Sequence, residues 1–460
     1  MMNLRGKHVL ILGLGESGLA AARWCDRQGA RLRIADTRAH PPGLDEIECR
    51  LASADFRSGE FDKSLLDDID LLVLSPGLSP GMLVVIHARA RGIPVVGEIE
   101  LFAQALRDLV RHVPVIAITG TNGKTTTTAL TGHLIASTGR TVGVAGNISP
   151  AALAALMDFQ DKGTLPQAWV LELSSFQLET TESLNATAAA VLNVSDDHLD
   201  RYIDLDDYAA AKARIFQGDG VQVLNRGDPR VKRMAIPGRR LITFGLDAPA
   251  DRDDFGLRQN RGEAWLVQGD RFLLPVGELP IRGLHNAANA LAALALCAAI
   301  GLDPVDLLPA LQSFSGLPHR VEKVATIGGV SFYDDSKGTN VGATVAALSG
   351  LGCKSVVILG GDGKGQDFSP LKAAVAEHAR AVVLIGRDGP RIGLAIAGCG
   401  VPVRNAGDDM TAAVRIAAEM AQAGDAVLLS PACASFDMFR NYAHRAEVFR
   451  QAVAALEAAR

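Results

Sequence analysis

A short glycine-bearing loop that ends in lysine and threonine is the part of the sequence best suited to chemistry. The apolar run Ile116–Ile118 leads into Thr119-Gly-Thr-Asn-Gly-Lys-Thr125, and a helical pattern follows. In this order, backbone N–H groups and a lysine can hold nucleotide phosphates, and a hydroxyl can hold Mg²⁺. The spacing from Gly120 is G-x-x-G-K-T, shorter than the common G-x-x-x-x-G-K-T. The segment predicts that the protein binds and cleaves a nucleoside triphosphate.

A second glycine motif lies near the N-terminus. Gly13-x-Gly15-x-x-Gly18 follows an apolar run, and Asp36 ends the next one. The glycines permit a tight turn close to a diphosphate, and the acid can bind ribose hydroxyls. The motif does not separate NAD from another diphosphate nucleotide such as a UDP-sugar, so both ligands stay open.

Acidic residues and a histidine follow two further apolar runs. Glu172 ends the run Trp169–Glu172, where a carboxylate can hold Mg²⁺ together with Thr125. Asp196-Asp197-His198 follows Ala188–Asn193 in the same way, which makes His198 a candidate metal ligand. Lys212, by contrast, has the local sequence of an ordinary solvated helix lysine.

Two later loops also place acids and lysines directly after apolar runs. These loops are Asp334-Asp-Ser-Lys-Gly-Thr-Asn340 and Gly360-Gly-Asp-Gly-Lys364. Such loops suit an anionic ligand or a nucleotide ribose. We therefore expect ligand contacts there rather than two plain surface turns.

The elements that must position these residues are short Val/Ile/Leu runs followed by glycine-bearing loops and helices. This alternation is typical of buried parallel strands in an α/β fold. Ligands gather at the carboxyl ends of such strands, where the polar clusters of this sequence fall. We expect the clusters to face a shared cleft. They are Gly13–Gly18, Thr119–Thr125, Glu172–Ser175, Asp196–His198, Asp334–Lys337, Gly360–Lys364 and Ser430–Ser435.

Bulk properties limit the alternatives. At 460 residues the chain is too long for one core, and about three domains is the natural expectation. The net charge of −5 and the lack of Lys/Arg runs disfavour a nucleic-acid partner. Six scattered cysteines without a C-x-x-C pair fit a reducing compartment. Without a signal-peptide pattern or a run of membrane-spanning length, we expect a cytoplasmic protein with no membrane insertion.

Seven motifs together resemble the Mur ligases of peptidoglycan synthesis, over essentially the whole chain and in the family's order. They are Thr119-Gly-Thr-Asn-Gly-Lys-Thr-Thr126, Leu171-Glu-Leu-Ser-Ser-Phe-Gln-Leu-Glu179, Asn193-Val-Ser-Asp-Asp-His-Leu-Asp-Arg201, His285-Asn-Ala-Ala-Asn289, Gly316-Leu-Pro-His-Arg320, Asp335-Ser-Lys-Gly-Thr-Asn340 and Ser430-Pro-Ala-Cys-Ala-Ser435.

The resemblance implies a three-domain α/β fold. Residues 1–111 would form a Rossmann-like domain for the UDP-sugar. Residues 112–317 would form a central P-loop ATPase domain with a mostly parallel sheet. Residues 318–460 would form a mobile Rossmann-like domain for the amino acid, and Gly316-Leu317-Pro318 is a plausible hinge.

The resemblance also implies the nucleotide and metal contacts. Two Mg²⁺ ions would be held by Thr125, Glu172, His198 and Lys212, and the last is expected to be carbamylated, which reverses the reading of Lys212 as a solvated lysine. Lys124, Glu172, His198 and Lys212 would form the catalytic group. The expected ATP contacts are Gly120, Thr121, Asn122, Gly123, Lys124, Thr125, Thr126, Thr127, Asn289, Arg320 and Asp335.

Two further sets would bind the other substrates. The UDP-sugar would contact Ser17, Asp36, Thr37, Gly77, Asn147 and Gln177. Glutamate would contact Lys337, Thr339, Lys364, Ser435, Phe436 and Tyr442. Phe436, Tyr442 and Gly338 depart from the better-known pattern, so the glutamate enantiomer stays open.

The implied reaction joins the carboxylate of UDP-N-acetylmuramoyl-L-alanine to the amine of D-glutamate, with ATP becoming ADP and phosphate through an acyl phosphate. We expect a monomer whose partners are these small molecules. A ligase for L-glutamate, another Mur enzyme and a folylpolyglutamate synthetase are alternatives with the same chemistry. An NAD-dependent oxidoreductase built on Gly13–Gly18 and a non-catalytic nucleotide-binding protein are alternatives from other classes.

Overall fold

The computed structural model describes residues 3–109, 113–198 and 201–458, and within these ranges the chain forms three separate β-sheets. One sheet lies inside each predicted domain range. The first predicted boundary, between residues 111 and 112, falls outside the described residues, and the division into domains stays a prediction. No helix of the described residues is both long and apolar enough to cross a membrane.

The first sheet contains five parallel strands in the described part of the chain, in the order β3-β2-β1-β4-β5. The strands are β1 (His8–Leu12), β2 (Arg31–Asp36), β3 (Asp55–Ser58), β4 (Leu71–Leu74) and β5 (Val95–Val96). The helices are α1 (Glu16–Arg27), α2 (Leu44–Arg50), α3 (Leu83–Ala90) and α4 (Glu98–Leu109), and a 3₁₀ turn covers Lys63–Leu66.

The central sheet has nine strands within the described residues and is parallel except at one edge, in the order β14-β13-β12-β11-β10-β9-β6-β8-β7. The strands are β6 (Val115–Thr119), β7 (Val142–Gly146), β8 (Ala168–Glu172), β9 (Ala188–Val191), β10 (Val221–Asn225), β11 (Leu241–Phe244), β12 (Phe255–Asn260), β13 (Glu263–Gln268) and β14 (Arg271–Pro275). The helices are α5 (Lys124–Ala136), α6 (Ala152–Asp161), α7 (Ser175–Leu178), α8 (Leu205–Ala213), α9 (Pro229–Lys232), α10 (Leu284–Ala299) and α11 (Leu308–Ser313). Short 3₁₀ turns cover Arg214–Phe216, Val276–Glu278 and Pro304–Leu307.

The third sheet has six strands among the described residues, in the order β15-β16-β20-β17-β18-β19, and only β15 is antiparallel to its neighbour. The strands are β15 (Glu322–Ile327), β16 (Val330–Asp334), β17 (Ser355–Gly360), β18 (Ala379–Ile385), β19 (Val403–Asn405) and β20 (Ala426–Leu429). The helices are α12 (Val341–Gly350), α13 (Leu371–His378), α14 (Gly389–Ala395), α15 (Met410–Met420) and α16 (Tyr442–Ala458).

The α/β class and the mostly parallel central sheet agree with the prediction. Helix α1 begins at Glu16, so the last glycine of the motif Gly13–Gly18 lies inside the helix. Gly18 is required there because a Cβ on it would lie 1.9 Å from the Gly13 carbonyl oxygen. The antiparallel strands β12–β15 were not anticipated.

We call each sheet together with its helices a unit, and refer to the first, central and third units in chain order. One continuous apolar core joins the first and central units. It runs from α1 and α4 of the first unit to α6 and β8 of the central unit. Trp169 of β8 is fully buried at its centre, with the ring of Phe102 from α4 at 4.9 Å and the ring of Phe159 from α6 at 5.7 Å, both edge-on. This packing holds the first unit against the central one.

Candidate active site

The glycine loop between β6 and α5 is held in a conformation that leaves the N–H groups at the start of α5 uncapped. Gly123 has φ +82°, which favours glycine, and it directly precedes α5, whose first turn has no side-chain cap. Asn193 supports the loop, since its backbone oxygen accepts Thr121 N at 2.9 Å and its side-chain oxygen accepts Asn122 N at 2.8 Å. The uncapped N–H groups of α5 therefore stay available for an anion.

Lys124 folds back over this loop. Its Nζ donates to the backbone oxygens of Gly120 at 2.8 Å and Thr121 at 2.9 Å. Burial lowers the pKa of Lys124, while Glu172 and Asp197 oppose that shift. The lysine is thus placed where phosphate oxygens would meet the loop.

Glu172, at the end of β8, offers one free carboxylate oxygen. The residue is buried, and its Oε1 accepts Asn147 Nδ2 at 2.8 Å, while Oε2 is buried without a hydrogen-bond partner. An unpaired buried carboxylate oxygen is costly unless a cation or donor reaches it. Together with the hydroxyl of Thr125, which lines the same cavity, this oxygen fits a Mg²⁺ ion beside the phosphate loop.

His198 follows the central strand β9 in a left-handed backbone conformation, with φ +55°. Its Nε2 lies 3.8 Å from an Asp197 carboxylate oxygen. Burial lowers the pKa of His198, although Asp197 favours the charged form. A neutral imidazole is the form that can bind a metal ion.

Lys212 is buried, so its reading as a solvated lysine is wrong. The residue is 1% exposed, and its Nζ donates to Gly120 O at 3.0 Å and lies 4.2 Å from the centre of the Tyr208 ring. Burial lowers the pKa of Lys212 well below its usual value, and the nearby charge of Lys124 adds to the effect. The local sequence missed this because α8 packs its lysine-bearing face against the phosphate loop.

Residues that flank the strands of the third sheet reach the same loop. Arg320 Nη2 donates to Thr125 Oγ1 at 2.6 Å, and Asn340 Nδ2 donates to Asn122 Oδ1 at 3.0 Å. Asp335 is buried and accepts Ser430 Oγ at 2.6 Å, and burial raises the pKa of Asp335 to about 7. These contacts set the third unit against the phosphate loop across the cleft.

The cleft encloses a cavity of about 380 Å³. Most of the predicted ATP, metal and catalytic residues line it, and so do Asn147, Lys337 and Thr339. The predicted residues in its wall are Thr121, Asn122, Gly123, Lys124, Thr125, Thr126, Asn147, Glu172, His198, Asn289, Arg320, Asp335, Lys337 and Thr339.

A second cavity, of about 360 Å³, lies in the first unit at the carboxyl ends of β1 and β4. Its wall includes Ser17, Asp36, Thr37 and Gly77. Asp36 accepts Leu14 N at 2.7 Å and is paired with Arg38, whose hydrogen bonds lower the pKa of Asp36 to about 2. The acid is therefore ionised and already bonded inside this cavity.

The expectation of one shared cleft needs correction. Gly13–Gly18 borders the second cavity, and the clusters Gly360–Lys364 and Ser430–Ser435 line neither cavity. Gly360 instead ends β17 of the third sheet, where a Cβ on it would lie 1.8 Å from Ile385 O of β18. The seven clusters therefore do not face one cavity, because they lie on three different sheets.

Five of the predicted substrate contacts lie outside both cavities. Gln177 closes a capping box with Ser174 at the start of α7. Lys364 has φ +47°, Ser435 is buried, and Phe436 is 70% exposed. Tyr442 lies next to the cavity, because its ring is 4.0 Å from Lys337 Nζ.

Three residues at the site were not predicted as individual contacts. Asn340 and Ser430 lie inside motifs that resemble the family, and their position after a strand end could have indicated a contact. Arg201 also lies in a quoted motif, but nothing in the local sequence indicates its partner, Pro76 O of the first unit, at 3.3 Å.

Comparison with known proteins gives matches along the whole chain. Profiles of three protein families match it: "Mur ligase MurD-like, N-terminal domain" over residues 7–97, "Mur ligase middle domain" over 118–297, and "Mur ligase, glutamate ligase domain" over 319–433. The last match ends before Ser435, so the C-terminal part of the third unit lies beyond it.

Two relatives are more than half identical to the chain. The UDP-N-acetylmuramoylalanine–D-glutamate ligase of Aromatoleum aromaticum is 61% identical over 454 residues, covering 98% of this chain and 97% of that protein. The enzyme of the same name from Nitrosospira multiformis is 57% identical over 462 residues, covering 100% and 98%.

Two solved structures share the fold at low identity. The UDP-N-acetylmuramate-alanine ligase MurC from Thermotoga maritima has a TM-score of 0.61 at 18% identity, covering 99% of this chain and 100% of that chain. A pseudomurein peptide ligase type C from Methanothermus fervidus has the same score and identity, covering 98% and 100%.

Proposed function

The chain belongs to the Mur ligase family, and we propose that it joins D-glutamate to UDP-N-acetylmuramoyl-L-alanine with cleavage of ATP. This reaction is a step in the synthesis of peptidoglycan precursors. The observation that carries the proposal is the free, buried Oε2 of Glu172 in a cavity that also holds an open phosphate loop. The relatives, which cover nearly the whole chain, supply the substrate assignment.

The chemistry begins with a carboxylate, which is a poor electrophile. One of its oxygens attacks the γ-phosphorus of ATP, the bond between that phosphorus and the β,γ-bridging oxygen breaks, and ADP leaves. The resulting acyl phosphate is attacked at its carbonyl carbon by the glutamate amine, which loses a proton as phosphate departs. Catalysis of the first step is chiefly positioning and charge neutralisation.

The phosphate loop and Lys124 would bind the triphosphate and oppose the negative charge that spreads over the transferred group. Thr125 and Glu172 would hold one Mg²⁺, and His198 and a carbamylated Lys212 would hold a second. Bound Mg²⁺ supplies neutralisation of phosphate charge and alignment of the reacting oxygens. Asn289, Arg320 and Asp335 would contact the nucleotide from the far side of the cleft.

The carbamate of Lys212 would solve an electrostatic problem. Burial and the positive charge of Lys124 both disfavour an ammonium at that position, and only the more weakly acting Asp197 favours it. Carbon dioxide on the amine, with release of a proton, turns the side chain into an anion on a long stem. Such an anion suits a metal site beside the phosphate loop.

The substrates would occupy both cavities. Ser17, Asp36, Thr37 and Gly77 would hold the UDP end, with Asn147 and Gln177 nearer the carboxylate. Lys337, Thr339, Lys364, Ser435, Phe436 and Tyr442 would hold glutamate. The proposal also includes three domains, with the ranges 1–111, 112–317 and 318–460. The protein would be a monomer and would be located in the cytoplasm.

The nicotinamide alternative has less support. It gives no role to the phosphate loop, Lys124 and Glu172, which line the cavity of the cleft. It would be signalled by a change in NADH fluorescence on mixing.

The test is phosphate release from ATP in the presence of UDP-N-acetylmuramoyl-L-alanine, with D-glutamate, L-glutamate or meso-diaminopimelate as the amine. We expect release only with D-glutamate, and loss of release in Lys124→Ala and Lys212→Ala proteins that stay folded. Release that requires L-glutamate would keep the chemistry and overturn the enantiomer. No release with any amine would overturn the proposed function.

A further inference from the structure

Arg201 connects the cavity of the first unit to the central unit. It follows β9 of the central sheet, and its Nη1 donates to Pro76 O at 3.3 Å. Pro76 and Gly77 form part of the wall of this second cavity, in the loop between β4 and α3. A side chain of the central unit thus holds the backbone of the loop that borders the candidate UDP-sugar site.

The guanidinium of Arg201 is itself held firmly. It forms an ion pair with Glu179, and it lies over the Phe176 ring at 4.2 Å. The Tyr202 hydroxyl donates to the same Glu179 carboxylate at 2.7 Å. The Arg201 and Glu179 side chains are only 13% and 16% exposed, so the pair is largely shielded from water and from salt.

The same cluster reaches the candidate catalytic residues. Phe176 contacts the His198 ring edge-on, with centroids 4.7 Å apart. Tyr202 packs on Tyr208 at 5.1 Å, and Tyr208 lies beneath Lys212. A continuous series of packed side chains therefore runs from the wall of the second cavity to the residues beside the phosphate loop.

We propose that Arg201 is a positioning residue that fixes the distance between the nucleotide cavity of the first unit and the phosphate loop. A substrate that occupies both places at once needs this distance to be set, whereas a ligand of one cavity does not. The assignment rests on the proposed function, in which the UDP end and the reacting carboxylate of one molecule lie at these two places.

The test compares a ligand of one cavity with the substrate that spans both. In Arg201→Ala, the Kd for UDP-N-acetylmuramoyl-L-alanine should rise about tenfold or more, because a hydrogen-bonded, shielded ion pair is lost. The Kd for UMP and the KM for ATP should stay as in the wild type, and kcat should fall by a smaller factor than kcat/KM. Arg201→Lys should give a partial rescue, since it keeps the charge but not the planar fork.

The matched control is Arg27→Ala. Arg27 of α1 pairs with Asp161 of α6 at 2.6 Å, so it also links the first and central units, but the two side chains are 40% and 65% exposed. We expect no change in any of these constants. If Arg201→Ala does not fold, Arg201→Lys carries the comparison with UMP.

Two results would overturn the assignment. The first is wild-type affinity for the full substrate in the Arg201 variants. The other is loss of UMP affinity by the same factor, which would mean that Arg201 supports only the cavity of the first unit. A wild-type protein that binds neither ligand would instead overturn the proposed function, and the assignment with it.

Discussion

At the scale of single residues, the site depends on side chains whose surroundings the sequence did not reveal. The glycine loop, Glu172 and His198 could be named as candidates from the sequence, because residue type and position after a strand are local properties. Lys212 was not, because burial of a helix lysine depends on what packs against that face of the helix. Only the resemblance to a family indicated a role for it, and the structure shows that its Nζ contacts Gly120 O of the phosphate loop.

We predict that Lys212 carries a carbamate in the active protein, because its buried position near Lys124 favours an anion over an ammonium. With ¹³C-bicarbonate, NMR should show one protected carbamate resonance that is absent in Lys212→Arg. Lys372→Arg, which changes an exposed lysine of α13, should retain the resonance. A wild-type protein without labelled carbamate, or a signal that survives in Lys212→Arg, would contradict this prediction.

At the scale of elements, strand and helix positions followed from local patterns, while edges and pairings did not. The buried parallel strands were predictable from short Val/Ile/Leu runs. The antiparallel strands β12–β14 were missed, although the two-residue connections Arg261-Gly262 and Gly269-Asp270 are hairpin signals. Their alternation is weak, because β12 ends in three polar residues in a row, of which Arg258 and Asn260 are half-buried and Gln259 is exposed.

We predict that Gly123→Ala impairs ATP binding beyond its effect on folding. Gly123 and Gly139 both have φ +82°, but a Cβ on Gly123 would lie 2.4 Å from Asn289 Oδ1, whereas one on Gly139 meets nothing within 4 Å. Each alanine should cost about 1–2 kcal/mol of folding free energy from backbone strain alone. Only Gly123→Ala should raise the KM for ATP, by about tenfold, since it also displaces the loop.

Urea unfolding and steady-state kinetics of the two variants measure these effects. Equal KM values for ATP in Gly123→Ala and Gly139→Ala would contradict the steric explanation. The comparison is matched because both glycines flank the same helix, α5.

At the scale of the whole molecule, the arrangement of the units was only partly predictable. The sequence placed seven polar clusters at strand ends, but it could not say which sheet edges would meet. Clusters of the central and third sheets share one cavity through contacts such as Asn340 with Asn122, and the Gly13–Gly18 cluster borders its own. Such long-range contacts leave no local signal.

We predict a pH-dependent stability contribution from Glu98, which lies between the first and central units. Its Oε1 accepts Leu153 N at 2.5 Å, its Oε2 has no partner, and burial raises the pKa of Glu98 from 4.5 to about 7, with Glu16 adding to the shift. Between these two pH values the folded protein holds a proton that the unfolded chain has lost. Stability from this group therefore falls as pH rises through that window.

Relative to the wild type, Glu98→Gln should gain up to about 3 kcal/mol of unfolding free energy between pH 5 and pH 8. Urea unfolding followed by tryptophan fluorescence at the two pH values measures the gain. Glu48→Gln, at an exposed position on α2, should show none. The same difference from wild type at both pH values would show that Glu98 does not titrate in this way.

The central claim, that ATP activates a substrate carboxylate through an acyl phosphate, is tested most directly by following oxygen. UDP-N-acetylmuramoyl-L-alanine with ¹⁸O in both carboxylate oxygens is turned over with ATP and D-glutamate, and the released phosphate is analysed by mass spectrometry. The account predicts one ¹⁸O in each phosphate, because the carbon–oxygen bond of the acyl phosphate breaks when the amine attacks. Unlabelled phosphate formed together with the amide product would contradict it.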